Sequence, residues 1–262
     1  MYLNSRLRQP SPRPRRIVTP KIIFIGLLLI LATTVLAGGT FLVQRSSKKE
    51  GSAKTSTPTE QFNKKLHSLT DPTSPWVVVN KKRQLSPKNY APTDLRTPSM
   101  SIGSASQRVS GQTAVALEAL AKAAASEGVN LMIISAYRSY ETQINIYNSE
   151  VRGFGQAQAD RESARPGHSE HQTGWAADIG TASGKCEIKT CFADTSEGQW
   201  LAANAYKYGF VIRYPDGKEH ITGYMYEPWH IRFVGTELSG EMYKTKTQTL
   251  EEFFGLPAAP GY

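Results

Sequence analysis

Residues 167–178 read Gly-His-Ser-Glu-His-Gln-Thr-Gly-Trp-Ala-Ala-Asp, and residues 226–230 read Tyr-Glu-Pro-Trp-His. These two stretches concentrate side chains that can bind a metal ion or move a proton. Zinc in hydrolases is typically held by three His, Asp or Glu ligands, with one position left for water. His171, Asp178 and His230 can supply such a set, and Glu227 can accept a proton from water. Taken alone, however, a histidine on a mixed strand is more often packed or solvated than a ligand.

The spacing of Glu227 and His230 constrains the backbone between them. Positions i and i+3 share a face on a helix, but Pro228 and the aromatic and β-branched residues of 229–234 favour a strand. In a regular strand the two side chains would point to opposite faces. We therefore expect Glu227 in the turn before the strand, or at a bulge.

Helices and strands are predicted in mixed order around these stretches. The hydrophobic pattern predicts helices at 113–127 and 141–151, a helix opened by a capping box at 196–199, and a short helix at 250–255. Apolar and β-branched runs predict strands at 76–80, 131–135, 210–213 and 229–234. The spacing is hairpin-like rather than regularly βαβ. This predicts an α+β domain with a small antiparallel sheet flanked by helices.

The net charge of +9 is confined to the N-terminal tail. Residues 1–49 contain nine Lys or Arg and no acid, which leaves 22 basic and 22 acidic side chains in residues 50–262. A DNA-binding domain needs its excess positive charge on the domain surface. We therefore expect no nucleic-acid partner.

The tail also contains an uncharged apolar run at 22–43. As a helix it would be about 33 Å long, enough to cross a bilayer core of about 30 Å. Six basic residues precede it and three follow, which predicts residues 1–21 in the cytoplasm and the domain outside, attached by a single-pass anchor to the cytoplasmic membrane. The alternative is a signal peptide cleaved after Ala37, although the apolar run continues beyond that site.

Residues 44–75 are rich in Ser, Thr, Lys and Pro, which predicts a flexible linker to a domain at 76–262. Within that domain, Cys186 and Cys191 are the chain's two cysteines. In a domain outside the cytoplasm, a local disulfide is expected rather than a metal site. The loop between them could border a cleft and tune specificity, or simply brace the surface.

The combination Ser169-x-His171-x6-Asp178 with Glu227-x-Trp229-His230 resembles the VanY-type D-alanyl-D-alanine carboxypeptidases. These enzymes belong to a zinc peptidase group that includes lysostaphin-like enzymes and the hedgehog fold. The resemblance extends from about residue 76 to 254. Further motifs in the family's order are VVNK (78–81), YxPxDL (90–95), SxYRSYxxQ (135–143), PGxSEHQTG (166–174), YGF (208–210), RYPxGKE (213–219) and TGYxYEPWH (222–230).

The resemblance implies zinc on His171, Asp178 and His230, with Glu227 as general base. It also implies that Arg138 contacts either the carbonyl or the terminal carboxylate of the substrate. A fixed guanidinium suits both roles.

Further substrate contacts are implied for Gln143 and Ser169, whose alternative interpretation is as helix-surface and turn residues. Trp229 is expected to pack, with an added role as a pocket wall. His67, His168 and His220 are not expected to be ligands.

The implied activity is removal of the C-terminal D-alanine from peptidoglycan stem peptides. Three alternatives stay open from the sequence. They are an L,D-carboxypeptidase acting on tetrapeptide stems, a catalytically silent module that binds stem peptides, and a membrane scaffold acting through the basic tail. The oligomeric state is not predicted.

Overall fold

The computed structural model describes residues 61–103 and 107–262, which lie in one compact unit, Pro58–Tyr262. None of the helices in these ranges is long and apolar enough to cross a bilayer. The basic tail predicted at 1–21, the membrane segment at 22–43 and the first part of the linker lie outside the described residues.

The described residues form five strands and seven α-helices. The strands are β1 (Ser101–Ile102), β2 (Leu131–Ser135), β3 (Ala176–Thr181), β4 (Phe210–Tyr214) and β5 (Glu227–Phe233). The helices are α1 (Gly111–Ser126), α2 (Tyr140–Phe154), α3 (Gln156–Glu162), α4 (Ser196–Asn204), α5 (Glu219–Thr222), α6 (Thr236–Thr245) and α7 (Leu250–Phe254), with 3-10 segments at Glu170–Thr173, Thr190–Asp194 and Ala205–Tyr208. The helices predicted at 113–127, 141–151 and 250–255 are present, as are the strands predicted from residue 131 onward, with ends shifted by at most three residues.

The sheet is mixed, with strand order β1-β2-β3-β5-β4. The pairs β2–β3, β3–β5 and β4–β5 are antiparallel, as predicted, but β1 pairs with β2 in parallel, so the prediction of a purely antiparallel sheet is wrong at this edge. The reason is that α1 lies between β1 and β2 in the chain. A crossover of this kind lets the second strand run in the same direction as the first.

Two clusters of buried apolar residues support the sheet. The first joins α1, through Leu117 and Leu120, with Ile133, Ile179 and Ile231 of the three central strands. The second joins the segment around residue 76 with α6 and α7. Every residue of β3 and β5 is buried, so polar side chains on these two strands are enclosed by protein.

The apolar run at 76–80 is not a strand of the sheet, contrary to the prediction. Val77 and Val79 belong to the first buried cluster, whereas Trp76 and Val78 belong to the second. Alternate residues therefore pack on different clusters, which explains the strand-like pattern. The backbone hydrogen bonds of this run are made outside the sheet. The Val78 amide, for example, donates to the Leu69 carbonyl at 3.1 Å.

The folded domain begins earlier than residue 76, so the predicted linker at 44–75 is wrong for its described part. Phe62 stacks on Trp76 with ring centroids 5.6 Å apart, and Leu69 packs against the second cluster. The segment has few large apolar residues, and the sequence alone does not reveal that these few contact Trp76. The cap of α4 also differs: Thr195 rather than Ser196 accepts the Gly198 amide, at 3.0 Å.

Candidate active site

Three elements bring His171, Asp178 and His230 together. Asp178 of β3 and His230 of β5 are directly paired across the antiparallel ladder, so their side chains share one face. His171 comes from the 3-10 segment before β3, which ends at Gly174 with a positive φ of 75°. One potential ligand atom from each of the three lies within 4.8 Å of the others, and all three residues are buried.

The spacing of these atoms fits a zinc ion. His171 Nε2 lies 3.3 Å from Asp178 Oδ2, and His230 Nδ1 lies 3.1 Å from Asp178 Oδ1. Donors bound tetrahedrally at zinc–ligand distances of 2.0–2.2 Å are about 3.3 Å apart. The other ring nitrogen of His171, Nδ1, is hydrogen-bonded to the Ala136 carbonyl at 2.7 Å, which directs Nε2 towards the cluster. Two imidazole nitrogens and a carboxylate oxygen within 4.8 Å of one another therefore form a donor set that suits zinc.

Glu227 is the first residue of β5 and lies beside an irregularity in the sheet. Tyr214 pairs with Glu227 and Ile212 with Ile231, so β5 spans four positions where β4 spans two. This irregularity matches the bulge that the spacing required, and Glu227 Oε2 lies 3.8 Å from His230 Nδ1. Burial raises the pKa of Glu227 to about 8. A carboxyl group with a pKa near neutrality is suited to exchanging protons with a substrate.

Arg138 lies at the start of the turn before α2 and contacts the same cluster. Its Nη2 donates to Asp178 Oδ2 at 2.8 Å, and its Nε donates to Ser135 Oγ at 3.0 Å. About a fifth of the side chain is exposed, so the guanidinium is held in place at the edge of the cluster rather than enclosed.

A cavity of about 720 Å³ opens onto the cluster and is lined by Arg138, Ser169, His171, Asp178, Glu227, Trp229 and His230, among others. Ser169 is 3% exposed and Trp229 is 6% exposed, so both are largely packed while lining the cavity.

Gln143 does not line the cavity and is not a helix-surface residue. It is fully buried, and its Nε2 donates to the Ala164 carbonyl at 2.8 Å. Ala164 itself lines the cavity, so the structure places Gln143 one layer behind the wall. Gln143 Oε1 is buried without a hydrogen-bond partner among the described residues.

Sequence reasoning gave no role to Glu170, whose side chain is completely buried against His230. Burial raises the pKa of Glu170, but the Arg232 and Arg213 guanidinium groups outweigh this and hold it well below its usual range. Burial lowers the pKa of His230, but hydrogen bonds to Asp178 and Glu170 outweigh this and raise it to about 9. The sequence did contain a signal for this role, because the strands predicted at 210–213 and 229–234 each contain an arginine, Arg213 and Arg232. An arginine enclosed in a sheet needs a charged partner, and Glu170 is that partner for both.

The expected disulfide between Cys186 and Cys191 is present. Four residues of this loop, Ile188 to Cys191, line the same cavity as the zinc-binding candidates. The loop therefore borders the cleft, which is the first of the two possibilities that the sequence left open.

Comparison with known proteins identifies the family. The family model for VanY, a D-alanyl-D-alanine carboxypeptidase, matches residues 106–236, half of the chain. The protein YodJ of Bacillus subtilis (strain 168), named as a carboxypeptidase, is 41% identical over 193 residues, which cover 72% of this chain and 70% of YodJ.

Solved structures agree with this assignment. The LD-carboxypeptidase LdcB is 41% identical with a TM-score of 0.66, and the match covers 70% of this chain and 87% of LdcB. The D,D-pentapeptidase VanY from a VanB-type resistance cassette, solved in complex with Zn(II), is 30% identical with a TM-score of 0.59, covering 69% of this chain and 98% of that protein. The chain therefore belongs to the VanY family of D-alanyl-D-alanine carboxypeptidases and is a peptidase.

Proposed function

We propose that the protein is a zinc-dependent carboxypeptidase that removes the C-terminal D-alanine from peptidoglycan stem peptides. The observation that carries the proposal is the convergence of His171, Asp178 and His230 in one cavity, which Glu227 also lines beside them. The relatives named above add support, since the VanY structure was solved in complex with Zn(II) and the LdcB structure concerns peptidoglycan recognition.

The chain's own residues supply the acid–base chemistry. Glu227 lies close enough to the cluster to accept a proton from the attacking water and then return it to the leaving amine. Arg138 holds a positive charge beside Asp178, where it can stabilise the negative charge that develops on the scissile carbonyl or bind the terminal carboxylate. Zinc held by the three ligands supplies Lewis acidity, which lowers the pKa of water and polarises the carbonyl. Burial of Glu227 and the ligands keeps these interactions strong, because bulk water screens them little.

Removal of D-alanine from a pentapeptide, a D,D activity, is the function that the motifs imply. An L,D activity on tetrapeptide stems is the second candidate, and a specific observation favours it. The LD-carboxypeptidase LdcB matches this chain with higher identity and a higher TM-score than the D,D-pentapeptidase VanY does.

One experiment tests both activities and the metal. The full chain is incubated with defined pentapeptide and tetrapeptide stems, with a chelator and then with added zinc, and the products are measured by mass spectrometry. Conversion of pentapeptide to tetrapeptide establishes the D,D reaction, and conversion of tetrapeptide to tripeptide establishes the L,D reaction. Turnover that survives the chelator would refute the zinc dependence. A metal-loaded protein that binds stems but cleaves none would instead be the silent module.

We also propose that residues 22–43 anchor the protein in the cytoplasmic membrane, with the domain facing the cell wall. The support is the length of the apolar run and the heavier basic flank before it. N-terminal sequencing of the mature protein tests this. A first residue near Gly38 would show cleavage and refute the anchor.

A further inference from the structure

Glu170 makes contacts that connect the proposed zinc site to the protein interior. Its Oε1 accepts hydrogen bonds from Arg213 Nε at 2.8 Å and from Arg232 Nη1 at 2.6 Å. Its Oε2 lies 3.3 Å from His230 Nε2, the ring nitrogen that is not directed at Asp178. Glu170 therefore contacts the ring nitrogen of a proposed ligand that faces away from Asp178.

The two arginines are themselves fixed. Arg213 forms a two-pronged ion pair with Glu251 of α7, at 2.7 and 2.9 Å. Arg232 donates to the backbone carbonyls of Pro75 and Val77, at 3.0 and 2.7 Å. Two carboxylates and two guanidinium groups balance in charge, and all four side chains are fully buried. The orientation of Glu170 is consequently set by the fold.

We propose that Glu170 is a positioning residue that selects the tautomer of His230 needed for zinc binding, an inference that rests on the proposed function. Two guanidinium N–H groups fix Oε1, so Oε2 is left to accept a proton from His230 Nε2. A ring protonated at Nε2 presents the lone pair of Nδ1 to the cluster. A carboxylate on the outer nitrogen of a metal-binding histidine also raises its basicity and fixes its ring.

The substitution Glu170→Gln tests this role sharply. The two arginine donors require an oxygen at the Oε1 position, so the amide oxygen takes that place and the NH₂ group faces His230. His230 Nε2 must then accept, which moves the ring proton to Nδ1, where it blocks metal binding. We expect the Kd for Zn²⁺, measured by chelator competition on the full chain, to rise about 10- to 100-fold.

Glu251→Gln is the matched control, because it removes the other buried carboxylate without touching His230. It should lower the thermal stability of the metal-free chain as Glu170→Gln does, while leaving the Kd for Zn²⁺ within about twofold of wild type. Equal weakening of Zn²⁺ binding by both variants, or no weakening by Glu170→Gln, would reject the proposal.

A second measurement avoids variants that fail to fold. Long-range ¹H–¹⁵N correlation spectra of the zinc-loaded wild-type chain report which nitrogen of His230 carries the proton. Protonation at Nε2 is expected. An unprotonated Nε2 would overturn the proposal even if stem peptides are cleaved, whereas a failure to cleave them would count only against the proposed function.

The disulfide-closed loop carries a second, independent inference. Cys186 packs partly buried against the first cluster, and Phe192, directly after the loop, is completely buried. Between these anchors Ile188 is 43% exposed, although it lines the cavity together with Lys189. A cavity of about 720 Å³ also exceeds what a single terminal alanine fills.

We infer that this loop binds the part of the stem peptide that precedes the cleaved bond, an inference that also rests on the proposed function. Ile188 offers apolar contact, and the Lys189 ammonium pairs with a carboxylate of the peptide. The disulfide between Cys186 and Cys191 restricts the conformations of the loop before binding, which lowers the entropy that the loop loses when the peptide binds.

Lys189→Ala should lower kcat/KM on complete stem peptides about fivefold. This loss corresponds to the upper end of the free energy that an exposed ion pair contributes. The loss should be smaller on a short N-acetylated dipeptide ending in D-alanine, which lacks the preceding part of the stem peptide. The matched control is Lys185→Ala, because Lys185 is an exposed lysine directly before the loop and does not line the cavity.

An equal effect on long and short substrates, or an effect of Lys185→Ala equal to that of Lys189→Ala, would overturn the inference. If the wild-type chain cleaves no peptide, the proposed function fails. Calorimetric binding of the stem peptide then decides the role of the loop, since Lys189→Ala must weaken binding where Lys185→Ala does not.

Discussion

Replacing Glu227 by Gln removes the proposed proton acceptor and keeps its shape. The carboxylate is 3.8 Å from His230 Nδ1 and is not one of the three clustered ligand candidates, so zinc content should stay at the wild-type level. A positioned general acid–base contributes typically about 10²–10⁴-fold to rate. Because Glu227 is 7% exposed, water can replace it only poorly, and we expect a loss in kcat near the upper end of that range. A 10⁴-fold loss corresponds to about 5.4 kcal/mol of transition-state stabilisation.

The assay follows release of D-alanine from defined stem peptides under saturating conditions, with zinc measured on the same samples. Glu162→Gln is the control, because Glu162 also lines the cavity but is exposed and belongs to α3. Its kcat should remain within about twofold of wild type. A Glu227→Gln protein that keeps zinc and retains more than a tenth of the wild-type kcat would refute the assignment of Glu227 as the base.

Four further outcomes are expected. His171→Ala should lose both zinc and turnover, since it removes one of three ligands; retained stoichiometric zinc would contradict the site. Arg138→Lys should lower kcat/KM by about 10²-fold or more, because Lys lacks the planar fork that now contacts Asp178 and Ser135; activity within threefold of wild type would contradict it. Arg213→Met should destabilise the fold by about 3–5 kcal/mol in urea unfolding, because Glu251 loses its guanidinium partner in a buried site; a change below 1 kcal/mol would be inconsistent. A chain starting at Trp76 should unfold at a lower urea concentration than one starting at Pro58, because it lacks the stacking of Phe62 on Trp76; equal midpoints would contradict the earlier domain boundary.

The ligand candidates could be found in the sequence because they lie within short motifs. Ser169-x-His171-x6-Asp178 and Glu227-x-Trp229-His230 name the residues that converge, and the odd spacing of Glu227 and His230 required an irregular backbone. The helices were also predictable, since their apolar faces repeat with the helical period over 15 or 16 residues in α1 and α2.

Other features depend on contacts between residues far apart in the chain. Phe62 belongs to the domain because its ring meets Trp76, and the run at 76–80 mimics a strand because alternate residues serve two clusters. The resemblance implied a substrate contact for Gln143, with a place on the helix surface as the alternative, whereas packing encloses this side chain behind Ala164.

The sequence by itself determined the family and the ligand candidates, because these depend on local motifs. It also determined the α+β character, because helices and strands follow from the period of the hydrophobic residues. Only the tertiary structure decided how the site is held. The pairing of β3 with β5 sets Asp178 opposite His230, and burial of Arg213 and Arg232 brings Glu170 against the outer nitrogen of that histidine. The physical reason is that a buried charge needs a partner, and the identity of that partner is set by how the chain folds back on itself rather than by neighbouring residues.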